Sequence, residues 1–389
     1  MDDNTTTTPN SSYLDFPFLI DENTIKWVKS NNVIFIMRGL PGSGKSTIVK
    51  SMHKVYGHFD SHKIAVCSAD AYFMKSGFYK FDASKLRDAH GECQLQVRDA
   101  AKLRTNVIVI DNTNILFREF APYIQIGRYE GYIPVLVETR TPWRRDANVL
   151  QYKNAHGVSK NVLQKKIGMS SSPPPLYFGW FLGNRDSKRL KDGGYKLLNL
   201  CYEKCDRFKQ DFHLLLSAVN SSSIDEYFKT PRGLGSNENA VLHCTSKYCG
   251  RSKHGKCNPN ISSYLSDPIV TKSLGSMSRL NITSFIITSR TFGARVQISD
   301  QQIELYDNGD ENSSIAHITL GIAGGVMPVQ TGIDIREVLN MERTSGTQAI
   351  YTYPIPKTKF TLQRVDENIW VVDVTARNLS LRGLFSAQY

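Results

Sequence analysis

Long apolar stretches are missing from this sequence. Nothing approaches the eighteen or so consecutive apolar residues that a membrane-spanning helix needs, so no transmembrane segment is expected. Met1–Asn10 is polar and Thr-rich and lacks the apolar run of a secretory signal. Cysteine is scarce: seven in 389 residues, an odd number, widely scattered. Such usage argues against a disulfide framework and for reduced thiols, which sets the expectation of a cytoplasmic or nuclear setting. No Cys-x2-Cys pair occurs, and no repeat period indicates a solenoid. Acidic residues are in deficit, 36 against 48 Lys and Arg, for a formal net charge of +12. An excess of that sign favours acidic partners, nucleic acid first and an anionic membrane surface second.

A chain of 389 residues exceeds the usual size of one core and reads as two domains. In the first half, apolar runs at Val33–Met37, Ile64–Cys67, Val107–Ile110 and Pro134–Val137 alternate with helical stretches such as Ala83–Leu103. Strands alternating with helices predict an α/β unit with a parallel sheet. Leu197–Val219 reads as one long amphipathic helix, after which Ser221-Ser222-Ser223 and Thr230–Ser236 have the composition of a linker. Beyond it, strands are expected at Ala240–Cys244, Leu280–Thr288, Ala294–Ile298, Ile315–Leu320, Ala349–Tyr353 and Ile369–Val374, with helices near Ile261–Lys272 and Gly332–Asn340. That mixture predicts an α+β unit with two mainly antiparallel lobes. The expected division is a flexible tail over 1–30, a P-loop domain over 31–220, a linker over 221–238 and a second domain over 239–389.

The first apolar run ends in Arg38-Gly39-Leu40-Pro41-Gly42-Ser43-Gly44-Lys45-Ser46-Thr47, a phosphate-loop pattern between a strand and a helix. Gly39, Gly42 and Gly44 let the backbone approach phosphate closely, and successive N–H groups around Ser43 and Thr47 face its oxygens. Lys45 would reach the terminal phosphates of ATP or GTP, and Ser46 would hold magnesium. Asp70 and Asp111 follow the second and third strands, at the sheet edge where ligands of such folds bind. Asp111 is expected to order the magnesium and Asp70 to accept a proton from an acceptor hydroxyl. Either could instead cap a helix. Arg144, in the pair Arg144-Arg145, is the candidate lid over the nucleotide, the bland alternative being a solvated charged face.

Two tripeptides in the second half match: His243-Cys244-Thr245 and His317-Ile318-Thr319, each in an apolar, strand-like setting. Residues i and i+2 of a strand share a face, so each segment presents one imidazole beside one hydroxyl. Brought together, His243 and His317 could supply a base and an acid to a phosphate ester, and Thr245 and Thr319 could donate to its non-bridging oxygens. The competing reading is a pair of satisfied core histidines. A zinc site from His243, Cys244, Cys249 and Cys257 is disfavoured because Cys244-x4-Cys249-x7-Cys257 matches no paired framework.

Several motifs occur in one order: the phosphate loop, Ser68-Ala69-Asp70-Ala71-Tyr72, Pro175-Leu176-Tyr177-Phe178-Gly179-Trp180-Phe181-Leu182, Leu242-His243-Cys244-Thr245, Gly293-Ala294-Arg295-Val296 and Ala316-His317-Ile318-Thr319-Leu320-Gly321. In this the chain resembles the 2′,3′-cyclic-nucleotide 3′-phosphodiesterase family, from about residue 30 onward. The resemblance implies a polynucleotide-kinase-like domain joined to a two-histidine phosphoesterase that opens 2′,3′-cyclic phosphates to 2′-phosphates without a metal. It places the family's catalytic residues on His243, Thr245, His317 and Thr319, a base-contacting aromatic on Tyr248, and a further ligand contact at Val329. It implies cyclic nucleotides and RNA with 2′,3′-cyclic phosphate ends as substrates. Two departures stand out. The family usually has an arginine two positions before the second histidine, where this chain has Ile315. Its vertebrate members end in a prenylation box, which Ser386-Ala387-Gln388-Tyr389 is not, so peripheral membrane association is expected only from a lipidated C-terminus beyond these residues. Two alternatives stay open: an RNA end-healing enzyme that also phosphorylates 5′-hydroxyl ends, and a basic scaffold for RNA or cytoskeleton with vestigial sites.

Overall fold

The structure is a computed structural model and describes residues 12–57, 64–74, 80–170, 174–230, 241–250, 259–306, 315–344 and 349–389. The chain separates into two compact units. One comprises Met1–Ile126, Pro134–Pro173 and Val270–Ser276, the other Gly127–Ile133, Pro174–Ile269 and Met277–Tyr389. Among the described residues no helix is long and apolar enough to cross a membrane.

The first unit is built on a four-stranded sheet of β1 (Val33–Arg38), β2 (Ile64–Cys67), β3 (Val107–Ile110) and β4 (Ile133–Glu138), in the order β2-β3-β1-β4. β1 and β2 both run parallel to β3, with Val33 and Ile64 each opposite Val107. β1 and β3 are buried along their whole length, which is why they read as unbroken apolar runs rather than alternating ones. The helix Lys45–Tyr56 covers the sheet with Ile48, Val49, Met52 and Tyr56; the helix Leu86–Lys102 does so with Ala89, Cys93, Val97, Ala100 and Ala101.

The second unit is a sheet of nine strands: β5 (Tyr177–Leu182), β6 (His243–Tyr248), β7 (Met277–Ile287), β8 (Thr291–Gln297), β9 (His317–Ile322), β10 (Tyr351–Pro354), β11 (Thr361–Asp366), β12 (Ile369–Asp373) and β13 (Leu379–Gln388). One path runs β10-β11-β12-β7-β13-β5-β6; β8 leaves it from β7 and carries β9. The pairings are antiparallel. The antiparallel sheet is as expected, and its nine strands form one sheet with a side branch.

Four expectations change. The boundary falls near Pro174 rather than at 221–238, because β5 is inserted between β13 and β6, with Trp180 opposite both Phe385 and Cys244. The Ser-rich stretch at 221–223 is not a linker: Ser223 caps the short helix Ile224–Tyr227 by accepting from the Glu226 N–H at 3.1 Å, and Ile224, Tyr227 and Phe228 are buried. Of that predicted linker, 231–238 lie outside the described residues, as do Cys257 and 1–11 of the expected tail, whereas Pro17–Ile20 and Glu22–Lys29 are helical. The single helix expected over Leu197–Val219 is two, Asn184–Lys204 and Asp206–Ala218, broken where Cys205 takes an extended conformation. The break lets Leu197, Leu198 and Cys201 bury one face while Phe208 and Phe212 bury another, with the Phe208 ring edge-on to Trp370 at 5.2 Å.

Candidate functional sites

In the first unit, β1 delivers its last residue, Arg38, into a buried position bonded to Glu138 and to the Ile115 carbonyl, and the chain then turns into the phosphate loop. The loop is pinned from outside: Gly39 N–H donates to Thr113 O (2.9 Å), Thr141 Oγ1 to Ser43 O (2.9 Å) and Trp143 Nε1 to Gly42 O (3.3 Å). Gly42 sits at φ +78° with Leu150–Asn154 backbone against it, where a Cβ would stand 2.9 Å from Asn154 N. Only glycine tolerates both the left-handed backbone and that approach.

The loop opens onto a cavity of about 620 Å³ lined by Lys45, Ser46, Thr47, Asp70, Asp111 and Trp143. Lys45 Nζ donates to the Leu40 carbonyl at 3.0 Å; burial pulls its pKa down to about 8, with Asp111 and Asp70 opposing the shift. Burial raises the Asp111 carboxyl, offset by Lys45 and by a hydrogen bond from Ser46. A hydroxyl and a desolvated carboxylate held together are hard oxygen donors, and they fit magnesium, which takes one or two protein oxygens and completes its shell with phosphate and water. Asp70 opens a short helix at the cavity wall, 3.5 Å from His156 Nε2. Arg144 is not brought to the cavity: it lies exposed in the turn before the helix Ala147–Lys153 and lines a separate shallow depression with Arg38 and Glu138. Lys153 and Lys166 also line the cavity, as do the imidazoles of His90 and His156.

In the second unit, β6 and β9 end the two branches, exchange no ladder hydrogen bonds and still run close together. His243, Thr245, His317 and Thr319 are each half-buried and alternate with the fully buried Cys244, Ser246, Ile318 and Leu320. The His317 backbone N–H reaches the buried Cys244 thiol, whose pKa burial pushes up to about 12. The His317 Nδ1 lies 2.5 Å from the Ile315 carbonyl. A carbonyl only accepts, so Nδ1 carries the proton and Nε2 keeps its lone pair. His243 is stacked on Tyr177 (centroids 4.7 Å apart, 16° between planes) and on Phe181 (5.4 Å, 29°), and its Nδ1 is buried with no hydrogen-bond partner among the described residues. Burial, then the neighbouring His317, then Arg128 bring the His243 pKa down to about 3. Burial lowers His317 as well, against the Ile315 hydrogen bond.

Tyr248 ends β6, exposed and opposite Tyr177 in the register. Val329 is exposed in the loop that leaves β9. The side chain of Ile315 packs against the apolar cluster of Ile286, Ile335, Val338, Ile369 and Val371. Reasoning from the residues missed Tyr177, Phe181 and Arg128. The first two lie within the Tyr177–Leu182 apolar run, whose aromatic spacing signals a strand face without revealing which histidine it meets. Arg128 carries no local signal.

A P-loop kinase-like unit followed by an antiparallel unit of the phosphodiesterase type is the class that these folds define. The family model described as 2′,3′-cyclic nucleotide 3′-phosphodiesterase matches residues 174–389, and one described as an AAA domain matches 34–167. The chain belongs to the 2′,3′-cyclic nucleotide 3′-phosphodiesterase family. It is 31% identical to the mouse (Mus musculus) 2′,3′-cyclic-nucleotide 3′-phosphodiesterase over 97% of this chain and 87% of that protein. Against the rat (Rattus norvegicus) protein of the same name it is 32% identical, with the same shares covered. Human (Homo sapiens) NEDD4-binding protein 2 is 33% identical over 35% of this chain and 7% of its own length. A solved chain of a Pnkp1/Rnl/Hen1 complex overlays 32% of this chain and 39% of its own at 22% identity and a TM-score of 0.26, a likeness too slight to argue from.

Proposed function

We propose that the second unit hydrolyses 2′,3′-cyclic nucleotides, and RNA ends bearing that cyclic phosphate, to 2′-phosphates. The observation that carries this reading is the 2.5 Å approach of His317 Nδ1 to the Ile315 carbonyl; a carbonyl only accepts, so the proton sits on Nδ1 and Nε2 is left able to take one from water. The water oxygen bonds to phosphorus as the bond to O3′ breaks. Nε2 of His317 receives the water proton, and His243 gives one to O3′. Thr245 and Thr319 donate to the non-bridging oxygens, where charge builds up. His243 is neutral in the free chain, and an anionic phosphate beside it favours its charged form, so substrate binding itself arms the acid. No step uses a metal. Tyr248 stacks on the base and Val329 borders it; the net charge of +12 suits RNA ends.

Product analysis on 2′,3′-cyclic AMP tests the reading. The 2′-phosphate is expected, at a rate unchanged by EDTA, and His317→Ala or His243→Ala should lower turnover by about 10²–10⁴-fold. A 3′-phosphate product, loss of activity to EDTA, or near-normal turnover by His317→Ala would overturn it.

The cavity at the phosphate loop favours a second activity in the first unit: binding of ATP or GTP with magnesium at Lys45, Ser46 and Asp111, and phosphorylation of a 5′-hydroxyl RNA end with Asp70 as proton acceptor. Transfer of label from γ-labelled ATP to 5′-hydroxyl RNA is the expected result. Nucleotide binding without transfer would reduce this role to binding.

A further inference from the structure

The helix Gln330–Thr344 carries a fully buried carboxylate, Asp334, that takes four hydrogen bonds. Oδ2 accepts from Thr288 Oγ1 (2.8 Å) and Thr291 Oγ1 (2.6 Å), and Oδ1 accepts from Arg290 Nη2 (2.7 Å) and Gln330 Nε2 (2.7 Å). Thr288 Oγ1 also accepts from the backbone N–H of Arg290 (3.0 Å) and Thr291 (2.9 Å), which closes the turn between β7 and β8 around the same centre. Arg290 Nη2 bonds Glu337 at 3.2 Å as well.

This centre touches both ends of one loop. β9, which begins at His317, ends at Ile322, and the next residue, Ala323, donates its N–H to the Arg290 carbonyl at 2.9 Å. At the other end, Gln330 follows Val329 and binds Asp334 through its side chain. Between the two anchors the loop holds itself with Val326 N–H to Ala323 O (3.2 Å), Gln330 N–H to Met327 O (3.0 Å) and Thr331 N–H to Pro328 O (3.2 Å). The exposed side chains it carries are apolar: Met327 is 69% exposed and Val329 52%. A buried carboxylate held by four donors is fixed in place, and losing the carboxylate itself takes a partner from the buried Thr288 and Thr291 hydroxyls.

We propose that Asp334 is a positioning residue for the phosphodiesterase site, tying both ends of loop 323–329 to the β7–β8 turn so that Met327 and Val329 stand where the substrate's base lies. The proposal rests on the phosphodiesterase reading above. It separates two jobs within one lobe: the histidine strand carries the chemistry, and the loop that follows it is set by a carboxylate without contact to substrate. A loop that contacts the base alike in ground and transition state contributes uniform binding, so loosening it raises KM and spares kcat.

Three full-length chains decide the matter: the parent, Asp334→Asn and Gln330→Met. Asp334→Asn turns two donors onto an amide that itself donates. Gln330→Met cuts only the tie to the loop and leaves the turn residues on Asp334, so it keeps the fold if Asp334→Asn does not. Well below the melting temperature, Gln330→Met is expected to raise KM for 2′,3′-cyclic AMP about tenfold with kcat within about twofold. Hydrogen exchange at the amides of Ala323, Val326 and Gln330 should quicken by about tenfold or more, while Ile318 and Leu320 in β9 stay protected. Unchanged KM in both variants, or loosened amides with unchanged KM, overturns the positioning role. A parent chain that turns over no cyclic AMP defeats the phosphodiesterase reading instead, and this use of the loop falls with it.

Discussion

His317 is held by the backbone of a residue whose side chain points elsewhere: its Nδ1–H donates to the Ile315 carbonyl at 2.5 Å, while the Ile315 side chain packs with Ile286, Ile335 and Val338. Ile315 thus serves the imidazole through its peptide group and the core through its side chain. Ile315→Ala should leave kcat on 2′,3′-cyclic AMP within about threefold, because the carbonyl stays. It should cost about 1–3 kcal/mol of stability, at the low end for Ile→Ala since the site is only partly buried. Denaturant unfolding together with steady-state rates separates the two effects. A large loss of kcat in a folded Ile315→Ala would show that the side chain matters to the chemistry.

The paired imidazoles set a pH signature. Both are lowered from the ordinary histidine value near 6.5, His243 to about 3. Since kcat/KM reports the free enzyme, both limbs of its bell should lie on the acid side of pH 6.5. The profile of kcat should shift upward, because bound anionic phosphate favours the protonated imidazole. Stability follows the same sign. Between the folded and unfolded pKa values the unfolded chain binds more protons, so stability falls as pH drops below about 6.5. His243→Gln should flatten that slope. A kcat/KM optimum above pH 7 would contradict the lowered pair.

Much of this was legible in the residues. Buried parallel strands announce themselves as unbroken apolar runs, as at Val33–Met37, and the phosphate loop and the two His-x-Thr strands appear where their motifs place them. The boundary was not legible. Tyr177–Leu182 is far in sequence from β6 and β13, and pairing across such distances leaves no local mark; the Ser-rich stretch at 221–223 looks like a linker but caps a helix. The break at Cys205 escaped for a related reason, since amphipathic periodicity continues across it while the buried face rotates. For Arg144 the residues left a lid and a solvated face open, because charge alone does not say which side of a turn faces the cavity; it lines a separate depression.

Lys45 offers a test in which binding and stability move in opposite directions. Burial lowers its pKa to about 8, so in the nucleotide-free chain the ammonium is held against a desolvation penalty. Its folded pKa lies below the unfolded value near 10.5, so its contribution to stability rises with pH between about 8 and 10.5 and is unfavourable below. Lys45→Met should therefore melt at or above the parent temperature at pH 7, while weakening ATP binding by about 10–100-fold through loss of a charged hydrogen bond. Magnesium-ATP should raise the melting temperature of the parent and leave that of the variant nearly unchanged. Hydrolysis of cyclic AMP should be unaltered in both. A variant that still gains stability from magnesium-ATP would remove Lys45 from the nucleotide site.

Gly179 in β5 fixes how closely β6 can approach. A Cβ there would stand 2.4 Å from the Cys244 carbonyl and 3.1 Å from Thr245 Cα, at the irregularity where the β5–β6 register shifts between Phe178 and Gly179. Neither atom belongs to a flexible side chain, so Gly179→Ala must push the β6 backbone aside. His243 and Thr245 ride on that backbone and would move with it. Overpacking of this kind costs about 1–3 kcal/mol, and a displacement of roughly 1 Å in a catalytic group can cost about 10²-fold in rate. Gly179→Ala should therefore fold with a lowered melting temperature and lose kcat far beyond what its lost stability explains, while ATP binding at the other unit is retained. If kcat stays within about threefold of the parent, the register of β5 against β6 does not set the position of the acid.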